Sequence, residues 1–289
     1  MNKTQSILTL FLAAIVWGFA FVAQRVGGEN VGAFTFSAIR FFIGATSLIP
    51  VISIFEKEEL NKDVKNTRFP GFICGILLFI AVVFQHYGII MTDFAGKSGF
   101  ITDFYIILVP IFGIFLHKKT PIQAWIGAVI ALVGFYFLCM NGGSFTINMG
   151  DVLIFISAIF FALHISVVDT YADRIYPLRL SCYQFYTVSF FAFIGVFFFE
   201  TIDFNAIKEA AIPILYGGLM SVGVGYTLQI VGQKNCDGTT SAIILSSEAV
   251  FCAIGSMLIL KEMMSFNGYF GCILVFVGII LAQIPVKKK

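Results

Sequence analysis

Charge is what this chain has least of. Asp, Glu, Lys and Arg make up 12% of its 289 residues, about half the roughly 25% usual in a soluble domain. Such a chain cannot clothe itself in a polar surface, which excludes a large soluble catalytic or nucleic-acid-binding module. Histidine is scarce, with three in all, and none has a metal-ligand partner at i+4. The six cysteines (Cys74, Cys139, Cys182, Cys236, Cys252, Cys272) form no C-x-x-C and no metal spacing. They read as small packing residues. G-x-x-x-x-G-K-[ST], H-E-x-x-H, G-x-S-x-G and a helix-opening G-x-G-x-x-G are all missing, so neither ATP-driven transport nor familiar hydrolysis is encoded. No cofactor and no metal is expected.

What is abundant is apolar. Hydrophobic residues reach 59%, with 35 Phe, and mean hydropathy is +0.95. The class is an integral membrane protein, with the lipid bilayer as its first partner and no nucleic acid. Ten runs reach the roughly 20 residues that a spanning helix needs: 6–26, 33–55, 70–91, 97–116, 121–140, 150–170, 179–199, 212–233, 239–260 and 265–285. They are too long for barrel strands of about ten residues. The first follows Lys3, but its apolar core, Ile7 to Ala23, exceeds a signal-peptide h-region and predicts a retained helix. Breakers mark the boundaries: Gly27-Gly28, Pro70-Gly71, Pro121, Asn141-Gly142-Gly143, Pro177, Pro213, Asp237-Gly238 and Pro285. Pro110 falls inside the fourth run and predicts a kink there.

Residue n and residue n+144 keep matching. Trp17 falls opposite Phe161, Phe41 opposite Phe185, Gln85 opposite Gln229 and Gly88 opposite Gly232. Asp93 falls opposite Asp237, Gly127 opposite Gly271 and Gly134 opposite Gly278. Two copies of one unit are expected, 1–144 and 145–289. With ten crossings both termini lie on one side, and 13 of the 18 Lys and Arg fall on that side against four on the other. The positive-inside rule therefore places both termini in the cytoplasm. Five crossings per half is odd, so the fold expected is all-α, ten transmembrane helices in a 5+5 inverted-topology repeat.

The repeat unit resembles the EamA domain of the drug/metabolite transporter superfamily. The resemblance is carried by Trp17-Gly18, Phe21-Val22, Arg25 and Ser37-Ala38-Ile39-Arg40-Phe41 in the first half. In the second half it is carried by Leu245-Ser246-Ser247-Glu248-Ala249-Val250-Phe251 and Leu258-Ile259-Leu260-Lys261-Glu262. The glycine pairs 127/134 and 271/278 fit the last helix of each unit. Two departures stand out: Ala249, where the family often has Pro, and His117-Lys118-Lys119 in place of a Leu-x-Glu ending. The resemblance implies a secondary transporter in the cytoplasmic membrane of a prokaryote, exporting or occasionally importing small metabolites such as amino acids, nucleosides or amphipathic toxins.

Polar side chains at membrane depth are expensive and normally face the bundle interior or a water-filled cavity. Glu248, near the middle of the ninth run, is the sharpest: it reads as a substrate or proton site, or as a protonated glutamate bonding a neighbouring helix. Asp103, with Ser98, Thr102 and Tyr105 on a nearby face of the fourth run, reads as a cavity wall or as interhelical glue. Gln85 and Gln229 are repeat mates, and His86 and Tyr226 stand close by in sequence. Their amide, imidazole and phenol groups suit cargo contacts or helix packing. His164 offers the same two readings. Trp17 lies mid-helix, away from the interfaces where Trp usually anchors, and suits stacking on cargo. Arg25 and its mate Asp169 are read as falling at the outer helix ends, as an ion pair or as solvated termini. Arg40 is expected to be structural, with an acidic or carbonyl partner.

The expected function is thus secondary transport, most simply efflux of amino acids or similar amphipathic compounds by alternating access. An intramembrane enzyme using Asp103, His86 and Glu248 would need those groups about 3 Å from one reacting atom and gains nothing from inverted copies. A non-transporting receptor lacks an extramembrane interaction element. Monomer and homodimer both fit, because the duplication already supplies two halves.

Overall fold

The structure, a computed structural model, describes residues 2–28, 31–56, 63–92, 95–118, 120–139, 147–171, 175–261, 263 and 265–282. Asp93, Lys119, Asn141-Gly142-Gly143, Glu262 and the tail from Pro285, all used above, lie outside them. The described residues are almost entirely helical: α1 Lys3–Gly28, α2 Ala33–Phe55, α3 Asp63–Met91, α4 Ala95–Thr102, α5 Tyr105–Phe115, α6 Ile122–Cys139, α7 Met149–Tyr171, α8 Pro177–Phe199, α9 Phe204–Glu209, α10 Ala211–Leu215, α11 Thr227–Gln233, α12 Gly238–Leu245, α13 Glu248–Gly255 and α14 Phe266–Ala282. Two π-helical segments, Tyr216–Tyr226 and Ser256–Leu260, complete the list.

Eight spans are long and apolar enough to cross a membrane, and the fifth and tenth runs form shorter apolar helices. The exterior is apolar: Phe197 is 83% and Phe266 85% exposed, whereas Ser98, His86 and Asp103 are fully buried. In water that arrangement would aggregate; in a bilayer it puts hydrocarbon against hydrocarbon and hides the polar groups. The chain is a multi-pass membrane protein.

Helix pairs run antiparallel with matched contacts. Glu200, just past α8, accepts from the Phe34 and Thr35 backbone N–H groups at 2.9 and 2.8 Å and from the Thr35 hydroxyl at 2.8 Å. Glu56, just past α2, accepts from the Leu178 N–H at 3.1 Å and lies 3.4 Å from the Arg179 guanidinium. Each glutamate thus satisfies the orphan donors at the start of the other helix, since neither α2 nor α8 has a side-chain cap of its own. Positions 56 and 200, and 34 and 178, are both 144 apart. The same offset recurs at the glycines. Gly88 packs on Gly150 and Ile154, while Gly232 packs on Ser6 and Leu10; Gly127 faces Gly278, while Gly134 faces Gly271. At each of the last two contacts the missing side chains let backbone meet backbone.

Three runs expected as regular helices stay single spans but depart locally from the α form. The fourth tightens at Asp103-Phe104, between α4 and α5, and the ninth tightens at Ser246-Ser247, between α12 and α13. The two tightened turns are again about 144 apart and use i→i−3 bonds: Phe104 to Ile101 at 3.3 Å, Ser247 to Ile244 at 3.2 Å and Ala249 to Ser246 at 3.3 Å. Pro110 lies inside α5, so the tightened turn precedes the proline by six residues rather than sitting at it. In the eighth run the stretch holding Gly217, Gly218, Gly223 and Gly225 widens into a π-helix, where absent side chains relax the usual i→i−4 ladder.

Arg25 and Asp169 lie at opposite ends of the bundle, which corrects the expectation that they share one. α1 and α7 run in opposite directions, so equivalent positions land on opposite faces. Arg25 donates to the carbonyls of Ile89 and Thr92, both at 2.6 Å, whereas Asp169 pairs with Lys118. Five described cysteines, Cys74, Cys182, Cys236, Cys252 and Cys272, are free.

Candidate functional site

At the centre of the bundle a cavity of ≈ 30 Å³ is lined by α1, α2, α3, α5, α7, the first π-segment, α11 and α13. That volume holds about two waters, at roughly 10–15 Å³ each. Seven expected site residues line it: Trp17, Gln85, Tyr105, His164, Tyr226, Gln229 and Glu248. His86, Ser98, Thr102 and Asp103 do not. They are buried behind the wall, and their roles there are supporting ones. Thr102 accepts from Gln85 Nε2 at 3.3 Å and donates to the Ser98 carbonyl at 2.9 Å, steering the amide toward the cavity. His86 packs edge-on to Phe36 with ring centroids 4.8 Å apart.

The two tightened turns bring the carboxyls together. Glu248 opens α13 directly after the second, and Tyr105 opens α5 directly after the first. The Tyr105 hydroxyl donates to Glu248 Oε1 at 3.2 Å. Asp103, in the first tightened turn, lies beside Glu248 and Tyr105, yet neither of its oxygens meets a donor in hydrogen-bonding geometry. α4 approaches α13 closely because Gly99 rests against Ala249. α13 is a regular α-helix from Glu248 to Gly255.

An aromatic cluster forms the opposite wall. Trp17 lies 4.6 Å from Tyr226, centroid to centroid, and His164 and Phe185 meet Tyr226 edge-on at 6.2 and 6.0 Å. Trp17 Nε1 donates to the Ser221 carbonyl at 3.1 Å, an acceptor within the π-segment. His164 Nε2 bonds Gln184 Oε1 at 2.9 Å. Gln229 Oε1 has no partner.

Seven further residues line the cavity, Ala20, Phe21, Gln24, Arg40, Phe161, Ile165 and Ser221, and four of them bear on its chemistry. Phe161 was legible as the mate of Trp17. Gln24 was legible too, seven residues after Trp17 on the same helical face. Ser221 carried no signal, since its role is a backbone carbonyl. Arg40 was expected to find a partner and finds none: it is 2% exposed, lines the cavity, and no ion pair reaches it among the described residues.

Both ends of the bundle are closed by charge. On the face away from the N-terminus, Lys97 and Asp151 form a 2.6 Å ion pair, each side chain only 5% exposed. On the N-terminal face, the Lys118–Asp169 pair is half open, with the Lys 39% exposed. It borders a second cavity of ≈ 40 Å³ that includes Asp237 and Thr239. Glu56, on that face and outside the spans, has its carboxyl pushed above the ordinary glutamate value by burial, against the pull of the Leu178 N–H and Arg179. Among the described residues no cluster of three or more His, Cys, Asp or Glu could hold a metal.

The EamA-like transporter family profile matches residues 4–140 and 148–283. An uncharacterized transporter of Archaeoglobus fulgidus is 28% identical over 287 residues, covering 99% of this chain and 88% of that protein. The uncharacterized transporter YoaV of Bacillus subtilis is 21% identical, with 98% of each chain covered. A solved crystal structure superimposes with a TM-score of 0.81 at 17% identity, over 98% of this chain and 97% of the other.

Proposed function

The chain belongs to the EamA-like transporter family, and on that premise we propose that it exports amino acids or similar small amphipathic metabolites by alternating access. That it is a membrane transporter and not an enzyme follows from the family and from relatives named as transporters. The observation that carries the mechanism is the reciprocal capping of α2 by Glu200 and of α8 by Glu56. Contacts exchanged at a constant 144-residue offset between antiparallel helices are what two inverted units, 1–144 and 145–289, would make about a two-fold axis in the membrane plane. Such units can rock against each other and open either face in turn.

The central cavity is too small for an amino acid, so cargo enters only when helices part. The half-exposed Lys118–Asp169 pair is the weaker seal, since solvent screens it more than the buried Lys97–Asp151 pair. The N-terminal face is then the first to open. With both termini in the cytoplasm, as the Lys and Arg distribution supports, that is the loading side of an exporter. The tightened turns of the fourth and ninth runs bring the polar groups of the site together. The Trp17–Tyr226 wall takes the apolar part. Two neighbouring buried carboxyls repel unless one carries a proton, so Asp103 and Glu248 make a seat for a coupling proton.

The test is flux in proteoliposomes loaded with labelled amino acids, with and without a pH gradient. Counterflow that Glu248→Gln reduces at least tenfold, in a protein that still folds, is the expected result. A broad amino-acid and nucleoside panel with no flux ends the transport assignment for these cargoes.

A further inference from the structure

Arg40 is the most anomalous residue in the molecule. Its guanidinium lies in α2 between the rings of Phe36 and Phe41, 5.6 and 5.0 Å from their centroids. Those ring faces attract a cation but offer no hydrogen-bond acceptor. Nε has no partner, no described carboxylate pairs with the side chain, and yet it is 2% exposed. An unpaired buried charge is among the most expensive placements a protein makes, and a cation at membrane depth normally faces a counter-group or a cavity. Arg40 faces the cavity, which Glu248, Gln85 and Gln229 also line.

The equivalent position in the second half sharpens the anomaly. Gln184 stands 144 residues on, is fully buried, and is engaged by His164 at 2.9 Å. Packing at this place in the fold is therefore met by a neutral amide. Nothing in the scaffold needs a charge there, so the guanidinium of the first half serves something that the scaffold does not contain.

We propose that Arg40 is the anion-recognising residue of the cavity and takes the carboxylate of the cargo. The planar guanidinium fork matches a carboxylate bidentately, in a way a point charge cannot. Phe36 and Phe41 flank the guanidinium carbon, and the side chain lines the cavity. Glu248, lining the same cavity without pairing to Arg40, is placed for the ammonium of a dipolar cargo. Arg40 thereby selects cargo with a free acid over the corresponding amide or amine. This rests on the transport reading, because only a mobile ligand can be the missing counter-ion.

The test uses the full-length protein in detergent and two matched probe series. One is L-phenylalanine, 3-phenylpropionate, L-phenylalaninamide and phenethylamine; the other is the leucine equivalents. Ligands that bind the folded state raise Tm by mass action. The acids are expected to raise Tm of the wild type at concentrations at least tenfold lower than the amides and amines need. Arg40→Gln should abolish that preference, Arg40→Lys should restore part of it, and R40Q without ligand should melt no lower than wild type, since it removes a cost. Acids and amides acting alike on the wild type, no response to either acid series, or a response to chloride alone would each overturn the proposal. So would an R40Q protein that keeps the acid preference. The wild-type series decides even if R40Q fails to fold. Flux of the same probes separates this idea from its premise. Transport indifferent to the carboxylate sinks Arg40's role and leaves transport standing; acid-selective binding without flux does the reverse.

Discussion

The two stretches that match the family, 4–140 and 148–283, agree where they touch each other and differ at most positions around the cavity. Glycine contacts and glutamate caps come in matched sets. Around the cavity the mates diverge: Arg40 against Gln184, Trp17 against Phe161, Ala20 against His164, Phe104 against Glu248. Helix packing depends on shape and so constrains both copies equally. The single cavity is lined once by both copies together, so the copies are free to part there. Gln85 and Gln229, identical mates that both line the cavity, are the exception.

Breaking the scaffold should have the largest effect. Gly127→Leu or Gly134→Leu would drive a side chain into the backbone of α14 at Gly278 or Gly271. Overpacking costs typically about 1–3 kcal/mol and can exceed it when backbone is the obstacle. Loss of monodisperse protein on gel filtration is expected from either, and a well-behaved Leu variant would show that the glycines are incidental.

The cavity should respond in flux rather than folding. Asp103→Asn and Glu248→Gln each leave a single carboxyl, and both are expected to lower proton-coupled flux at least tenfold while Tm changes little. Unequal losses would say which carboxyl carries the proton. A third, smaller contrast lies in the caps. Glu200→Ala removes three bonds to α2 and one from the Tyr87 hydroxyl at 3.1 Å, and Glu56→Ala removes one bond to α8 and an ion pair. Losing a cap costs about 1 kcal/mol, and charge-assisted bonds about 1.5–3 each, so E200A should melt lower than E56A. The caps lie at opposite ends of the bundle, and their effects should add in the double variant.

The smallest effect concerns pH. Because burial raises the folded Glu56 carboxyl above its ordinary 4.5, the folded state binds this proton more tightly than the unfolded chain does. Its contribution to stability is then full below about 4.5 and falls as pH rises through the folded value. Glu56→Gln should flatten Tm against pH in that window, and an unchanged slope would assign the dependence elsewhere.

Much of this could be read before any coordinates. Trp17, Gln85, Gln229 and Glu248 announced themselves because polar and aromatic groups at membrane depth are costly enough to need a reason. The tightened turns did not. No proline or glycine stands at Asp103-Phe104 or Ser246-Ser247, and the apolar pattern runs straight through both. Asp169 was assigned to the wrong end because a mate in an inverted copy reverses its depth. Arg40 was set aside as structural because a sequence shows that a buried charge needs a partner but not whether one arrives.

The amino-acid order by itself determined the membrane as solvent, the number of apolar runs, the 144-residue echo and the set of polar residues too costly to face lipid. Those follow from local composition and period, which transfer energies weigh residue by residue. Which of those residues share a cavity, which stand behind it, and that a lone guanidinium meets no acid there were decided only by tertiary packing. A contact between residues as distant as 105 and 248 exists only once helices cross, and no local preference encodes where they do.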